Sequence, residues 1–327
     1  MNLPTKINEQ VSLFECEVGG RPLHLPLIRS SERVIMVDTG CASDVETKIL
    51  PGLKSLGLQA TDLTDIIVTH CDVDHQGGNH AIKQLAPQAR IGCGTADAAA
   101  VSDPEVIIAQ RYDGYRKNHG HHYDEATLQW LKDELGQPQA MDVTYDGGET
   151  ISLGQEGTLE VLHLPGHSRG HLGLWDSARK ILIAGDAIHG KVYNDIKNEQ
   201  PALCPTYLHV QAYLKTIASI ESLKPETYIG CHWPVMTSPA AIMNFCAESR
   251  DFVERAEQLV LEAIHNAKTQ GIGLTELCQT LGPALGDWPR PVDHELCYAV
   301  NGHLEDLTER GCIQPIEGSS PLRYTEV

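Results

Sequence analysis

Short apolar runs rich in β-branched residues punctuate the first two-thirds of the chain, at 34–37, 66–68, 159–162, 172–175, 181–184 and 227–230. Each is too short for a helix, and most end in a polar or glycine-bearing turn, which predicts buried strands. Apolar residues at helical spacing fill 78–86, 205–223 and 239–268. Strands that alternate with helices in this way predict a layered α/β domain. No internal repeat of solenoid period and no low-complexity tract breaks the pattern.

Two stretches depart from it. Residues 94–140 are helix-compatible but rich in Tyr and His, with Arg111, Tyr112, Tyr115, His119, His121, His122 and Tyr123 close together. This reads as a helical insertion, either a cap over a pocket or a solvated surface excursion. From about residue 251 the chain becomes mostly helical and ends in two short extended pieces around Gly318. The expected division is therefore 1–250 for the main α/β domain and 251–327 for a small tail of three helices with a β-wing. That tail carries 5 Lys/Arg against 13 Asp/Glu. A wing that reads DNA must neutralise phosphates, so packing or homodimer formation is the expected role.

Composition sharpens this picture in three places. A formal net charge of −19 repels polyanions at long range and makes nucleic acid an improbable partner. The ten cysteines are scattered without C-x-x-C pairing, as expected of reduced thiols in a cytoplasm. The first ten residues lack an apolar signal core and no stretch approaches eighteen apolar residues, so neither export nor membrane insertion is expected.

Chemistry is concentrated in Thr69-His70-Cys71-Asp72-Val73-Asp74-His75-Gln76-Gly77-Gly78, directly after the apolar run 66–68. Two imidazoles and two carboxylates within six positions at a strand end form a ligand set for Zn, Fe or Mn. Four more segments follow the same rule of polar residues after an apolar run: Val37-Asp38-Thr39-Gly40, Leu164-Pro165-Gly166-His167-Ser168-Arg169-Gly170-His171, Ala184-Gly185-Asp186-Ala187 and Gly230-Cys231-His232-Trp233-Pro234. Cys71, on the opposite strand face from its ligand neighbours, is expected in the core, and Cys231 is ambiguous.

In these five motifs, taken in order, residues 10–250 resemble the metallo-β-lactamase-fold hydrolase superfamily. The resemblance implies an αββα sandwich, with the helical insertion at 94–140 and a winged-helix-like tail added to it. It implies two divalent metal ions, the first held by His70 and His167, the second by Asp74, His75 and His232, with Asp186 bridging. Asp38 would stand behind the ligands and orient them. His171 is expected to support a neighbour rather than bind metal. The common family motif is H-x-H-x-D-H, whereas this chain reads H-x-D-x-D-H. Asp72 thus takes a histidine's place, and is expected to ligate the first metal through oxygen, as an acidic residue does in flavodiiron proteins of the same fold.

That change alters the charge. Three carboxylates and a bridging hydroxide would neutralise two divalent ions, leaving the bound water less acidic and shifting preference towards Fe or Mn without excluding Zn. The resemblance implies hydrolysis of a small ester, lactone or thioester by a metal-bridging hydroxide, with Asp74 orienting the nucleophile and shuttling a proton. His189 occupies the place of a tyrosine that assists the substrate carbonyl in lactonases of the superfamily, and is the second catalytic candidate. Tyr193, Asn194, Tyr112, Tyr115, His121 and His122 are weaker pocket candidates. Phosphodiester or RNA cleavage is the alternative reading, and di-iron redox chemistry a more distant one.

Overall fold

In the computed structural model, which describes residues 3–327, a seven-stranded sheet runs in chain order. Its strands are β1 (Thr5–Lys6), β2 (Val11–Val18), β3 (Arg21–Arg29), β4 (Val34–Val37), β5 (Asp65–Val68), β6 (Arg90–Gly94) and β7 (Val143–Tyr145). Pairing is antiparallel from β1 to β4 and parallel from β4 to β7. A second sheet has the order β14-β11-β10-β9-β8, built from β8 (Thr150–Ser152), β9 (Thr158–His163), β10 (Leu172–Asp176), β11 (Ile181–Gly185) and β14 (Thr227–Gly230). A small hairpin, β12 (Tyr193–Asn194) and β13 (Pro201–Leu203), lies between β11 and β14 in the chain.

The six expected strands all form, and their period-2 alternation explains why there are four layers. Ile35, Val37 and Ile67 meet Leu172, Leu174 and Ile183 in a core between the sheets. Met36, Ile66 and Val68 point the other way, onto Ile49, Leu53, Ile82 and the 94–140 segment. Leu182 and Ala184 face outward onto the helices Val210–Leu223 and Pro239–Ala267. This is the α/β sandwich of the expected class.

Strand β3 escaped the sequence pattern because Pro22 and Pro26 interrupt it. Both are tolerated for the same reason. β4 pairs only with Leu27–Arg29, so the rest of β3 has one free edge, and the His24 amide, of the same parity as the prolines, points there to donate to the Cys231 carbonyl at 2.8 Å.

The 94–140 segment folds as short helices between β6 and β7. Asp103 accepts from the Glu105 amide to start one, and Asp124 accepts from the Thr127 amide to start Glu125–Leu135. Ile108–Tyr112 is a single wide turn with i→i+5 bonding, a distortion frequent at functional sites.

In the tail, helices Leu274–Leu285 and Cys297–Glu309 accompany a sheet of β15 (Ile272–Gly273), β16 (Ile313–Pro315) and β17 (Arg323–Glu326), ordered β15-β17-β16. The helix Pro239–Ala267 runs through position 250, and one continuous core joins Leu164, Tyr213 and Trp233 to Leu277, Leu296 and Leu304. Among the described residues no helix is long and apolar enough to cross a membrane.

Candidate metal centre

All five motifs reach one rim of the sandwich because each follows the last residue of a strand. Asp38 follows β4, His70 to His75 follow β5, His167 lies between β9 and β10, Asp186 follows β11, and His232 follows β14. The ligand atoms of His70, Asp72 and His167 form one cluster and those of Asp74, His75 and His232 another, while Asp186 approaches His70 and His75 together. Each atom lies within 4.8 Å of the others in its group.

The second cluster is tightly ordered. The Nε2 atom of His232 lies 3.3 Å from both Asp74 Oδ2 and Asp186 Oδ2, and His75 Nε2 is 3.8 Å from Asp74 Oδ2 and 4.0 Å from Asp186 Oδ2. Tetrahedral coordination at about 2.0–2.1 Å would separate ligand atoms by about 3.3 Å, so these groups need little movement to hold an ion. Partners behind the rings set the tautomers. His75 Nδ1 bonds Asp38 Oδ2 at 2.9 Å and His232 Nδ1 donates to the Pro22 carbonyl at 2.6 Å, which leaves each Nε2 aimed inward.

Asp38 is the organiser of this edge. It is fully buried with φ +62, a conformation rarely adopted outside glycine, asparagine and aspartate. Its carboxylate accepts from the Thr69 amide at 2.6 Å and from the Thr69 hydroxyl at 2.8 Å. The same hydroxyl meets His70 Nδ1 at 3.0 Å, so the inward Nε2 of His70 is again left for a ligand. Among the described residues, His70 Nε2, His75 Nε2 and Asp186 Oδ1 are buried without any hydrogen-bond partner. Orphaned lone pairs that converge from several strands are what a metal satisfies, and the residues present fit one.

The first cluster contains a residue that sequence reasoning did not single out. His167 Nε2 lies 3.1 Å from Asp72 Oδ2, and His70 Nε2 is 3.8 Å from the same oxygen. Asp72 is also gripped by Arg111, whose Nε meets Oδ1 at 2.6 Å and whose Nη2 donates to Oδ2 at 2.7 Å. The expected charge balance therefore needs correction. The additional carboxylate faces a buried guanidinium, whose charge would offset it in any metal-loaded state.

Protonation reflects this crowding. Burial opposes charge on Asp72, but Arg111 and then His167 outweigh it and hold the carboxyl below its usual range. Burial likewise opposes the His75 and His232 imidazolium forms. Asp74 and Asp38 outweigh it for His75, raising it to about 9, and Asp186 and Asp74 do so for His232, raising it to about 10. Without metal these two rings take protons and serve as counter-cations to the carboxylates. Burial, followed by neighbouring imidazoles, pushes His70 well down.

Other candidates are distributed around this centre. His171 Nε2 accepts from the Asp186 amide at 3.1 Å and its ring stacks on His70, so it supports both neighbours. A ring nitrogen of His189 comes within 4.8 Å of a His167 ring nitrogen and an Asp186 oxygen, and neither of its nitrogens has a partner among the described residues. Its ring stacks on Trp233 and lies tilted against Tyr193, outside the lining of the cavity. Cys71 is a core residue, and Cys231 is buried with its sulfur 3.9 Å from Asp38.

The residues matched by the family model for the Metallo-beta-lactamase superfamily are 27–232, more than half of the chain. The chain belongs to that superfamily. Similar proteins include the acyl-coenzyme A thioesterase MBLAC2 of Bos taurus, 30% identical over 52% of this chain and 60% of that one. Another is a hydroxyacylglutathione hydrolase of Synechococcus sp., 26% identical over 51% of this chain and 53% of that one. The chain thus spans little more than half the length of these relatives. A solved metallo-beta-lactamase family protein from Thermus thermophilus shares the fold over 98% of this chain and all of that one, with TM-score 0.74 and 20% identity. The strand-end clusters lie beneath a cavity to which the inserted segment and the tail both contribute.

That cavity, about 380 Å³, is walled by Asp72, Asp74, Asp186 and His232 below and by Tyr112, Trp130, Leu131, Tyr193 and Leu203 at the sides. The inserted segment supplies Arg111, Tyr112, Tyr123 and Trp130, and the tail supplies Val292, Glu295 and Tyr298. Tyr123 bridges the two, donating to Glu295 Oε2 at 2.5 Å and meeting the Tyr298 hydroxyl at 2.9 Å. Tyr112 accepts from the Val73 amide at 2.9 Å. Tyr115 packs on Tyr298, His121 bonds Thr275 and the His294 carbonyl, and His122 and Asn194 are exposed.

Proposed function

We infer that this protein is a binuclear metal-dependent hydrolase of thioesters, acting on a small-molecule substrate. The observation that carries this reading is the convergence of orphaned imidazole and carboxylate atoms in two clusters that share Asp186, beneath a largely aromatic and aliphatic cavity. Two divalent ions, with Zn, Fe and Mn all compatible with these ligands, would supply Lewis acidity and a shared water of lowered pKa. His70, Asp72 and His167 would hold one, Asp74, His75 and His232 the other, and Asp186 both.

The chain's own groups do the rest. Asp74, kept ionised beside His75 and His232, orients the attacking water and takes its proton. The water oxygen adds to the acyl carbon, the carbon–sulfur bond breaks, and the thiol leaves with that proton, so the products are a carboxylic acid and a thiol. His189, held neutral by burial and by His167, packs beside His167 and Asp186 and supports them from behind the cavity wall. Tyr112, Trp130 and Leu131 give the acyl group apolar walls.

Thioesters are preferred among esters and lactones because the relatives' names, acyl-coenzyme A thioesterase and hydroxyacylglutathione hydrolase, both describe acyl–thiol cleavage. The strongly negative chain argues against a nucleic-acid partner, and ten cysteines without C-x-x-C pairing fit the reduced thiols of a cytoplasm. The test is thiol release from acyl-coenzyme A, acyl-glutathione, lactone and aryl ester substrates, with elemental mass spectrometry of the same preparation. Two metals per chain and thioester turnover that is lost to chelator and restored by metal are expected. Two metals with no thioester turnover would overturn the substrate class, and fewer than two would overturn the binuclear centre.

A further inference from the structure

We propose that Arg111 is a positioning residue that lets Asp72 replace a histidine: its guanidinium spans both oxygens of the carboxylate and fixes the plane in which Oδ2 faces the first metal pocket. This rests on the binuclear reading above. Arg111 Nε lies 2.6 Å from Asp72 Oδ1 and Nη2 donates to Oδ2 at 2.7 Å, while the same Oδ2 faces His167 Nε2 at 3.1 Å and His70 Nε2 at 3.8 Å. A free aspartate beside a divalent ion can chelate through both oxygens or turn away. An aspartate held by a fork of guanidinium donors keeps one geometry.

Charge argues in the same direction. Histidine is a neutral ligand, and an Asp–Arg pair is neutral as a unit. Together, Asp72 and Arg111 therefore preserve the charge of a three-histidine pocket while changing its donor from nitrogen to oxygen.

Arg111 is itself placed from three sides. It emerges from the wide turn Ile108–Tyr112 and is 4% exposed. Its Nη1 donates to the His167 carbonyl at 3.3 Å, tying it to the loop of another ligand. The Tyr298 ring lies under the guanidinium at 4.6 Å, so the tail helix presses it against the metal pocket. Lysine lacks the fork, and among the described residues no other cation contacts Asp72 within 4.0 Å except the neighbouring histidines.

The experiment is a metal-binding cycle on the full chain, read by elemental mass spectrometry and by competition with a chromophoric chelator for zinc, independently of turnover. Arg111→Gln should retain the second metal and weaken the first by roughly ten- to a hundredfold, the usual size of losing a group that orients a ligand. Asp72→His alone, with an imidazole facing an unpaired guanidinium, should weaken it similarly. The double variant Asp72→His/Arg111→Gln, which recreates the common motif, should bind two zinc ions nearly as the parent does. Arg111→Lys keeps the buried charge without the fork. It should fold where the glutamine variant fails, and still lose first-site affinity.

A parent with two metals and unchanged zinc affinity in both Arg111 variants would overturn the role of Arg111 alone. So would Asp72→His binding as well as the double variant. A parent with fewer than two metals would overturn the binuclear reading and this one with it.

Discussion

The two halves of the proposed metal centre are built on different principles. The Asp74–His75–His232 half is assembled by strand ends alone: Asp38 and the Pro22 carbonyl fix both rings from behind, and every residue lies in the sandwich. The His70–Asp72–His167 half depends on distant chain. Its aspartate is held by Arg111 from the inserted segment, and Arg111 is pressed into place by Tyr298 from the tail.

The largest effect should come from abolishing the comparison altogether. Asp186 serves both halves, so Asp186→Ala should remove both metals and lower turnover by about 10³-fold or more, as loss of a binuclear centre does. Retention of one tightly held metal would show that the halves are independent. Next, Asp38→Asn keeps the left-handed backbone accessible but withdraws the carboxylate from His75. It should weaken the second-half metal by about ten- to a hundredfold and the first less, because Asp38 reaches His70 only through the Thr69 hydroxyl; elemental analysis after graded dialysis separates the two.

Smaller perturbations sharpen the contrast. His189→Gln should lower kcat roughly tenfold with two metals still bound, since a ring that supports His167 and Asp186 is lost rather than a ligand. Loss of metal in that variant would move His189 into the first half's ligand set. Tyr298→Leu removes the ring beneath Arg111, an interaction worth about 1 kcal/mol. It should weaken only the first metal, by about fivefold in a chelator competition.

The mildest test is pH. In metal-free protein, His75 and His232 are raised to about 9 and about 10. Their protonation therefore stabilises the fold in full below the ordinary imidazole value, and the contribution is lost as pH rises through 9 and 10. Asp74 and Asp186 are held low by the same contacts, so their contribution is present above the usual carboxylate range and lost as pH falls through and below it. The melting temperature of metal-free protein should fall by several degrees between pH 7 and pH 10, and metal should abolish that fall. Zinc binding near pH 7 should release protons into weak buffer, because both rings must shed one to ligate.

Much of this was legible in the chain. The period-2 runs and their terminating turns locate β4, β5, β9, β10, β11 and β14. Because each ligand directly follows such a run, His70, Asp74, His75, Asp186 and His232 could be named from sequence pattern and family resemblance, and the structure brings them together. The physical reason is locality: strand periodicity, turn chemistry and motif spacing are properties of neighbouring residues. Strands that break the rule, such as the proline-bearing β3, and very short ones, such as β7 and β8, left no comparable trace.

Arg111, Tyr298 and Glu295 could be assigned their places only by tertiary structure. An arginine within an aromatic-rich insertion looks like any solvated cation, and the carboxylate at position 72 was read as balanced by metal alone. Which cation answers it depends on a wide helical turn 39 residues away and on a tail helix beyond residue 296. Burial, not spacing, selects the partner of a charge, and burial is decided when the layers close.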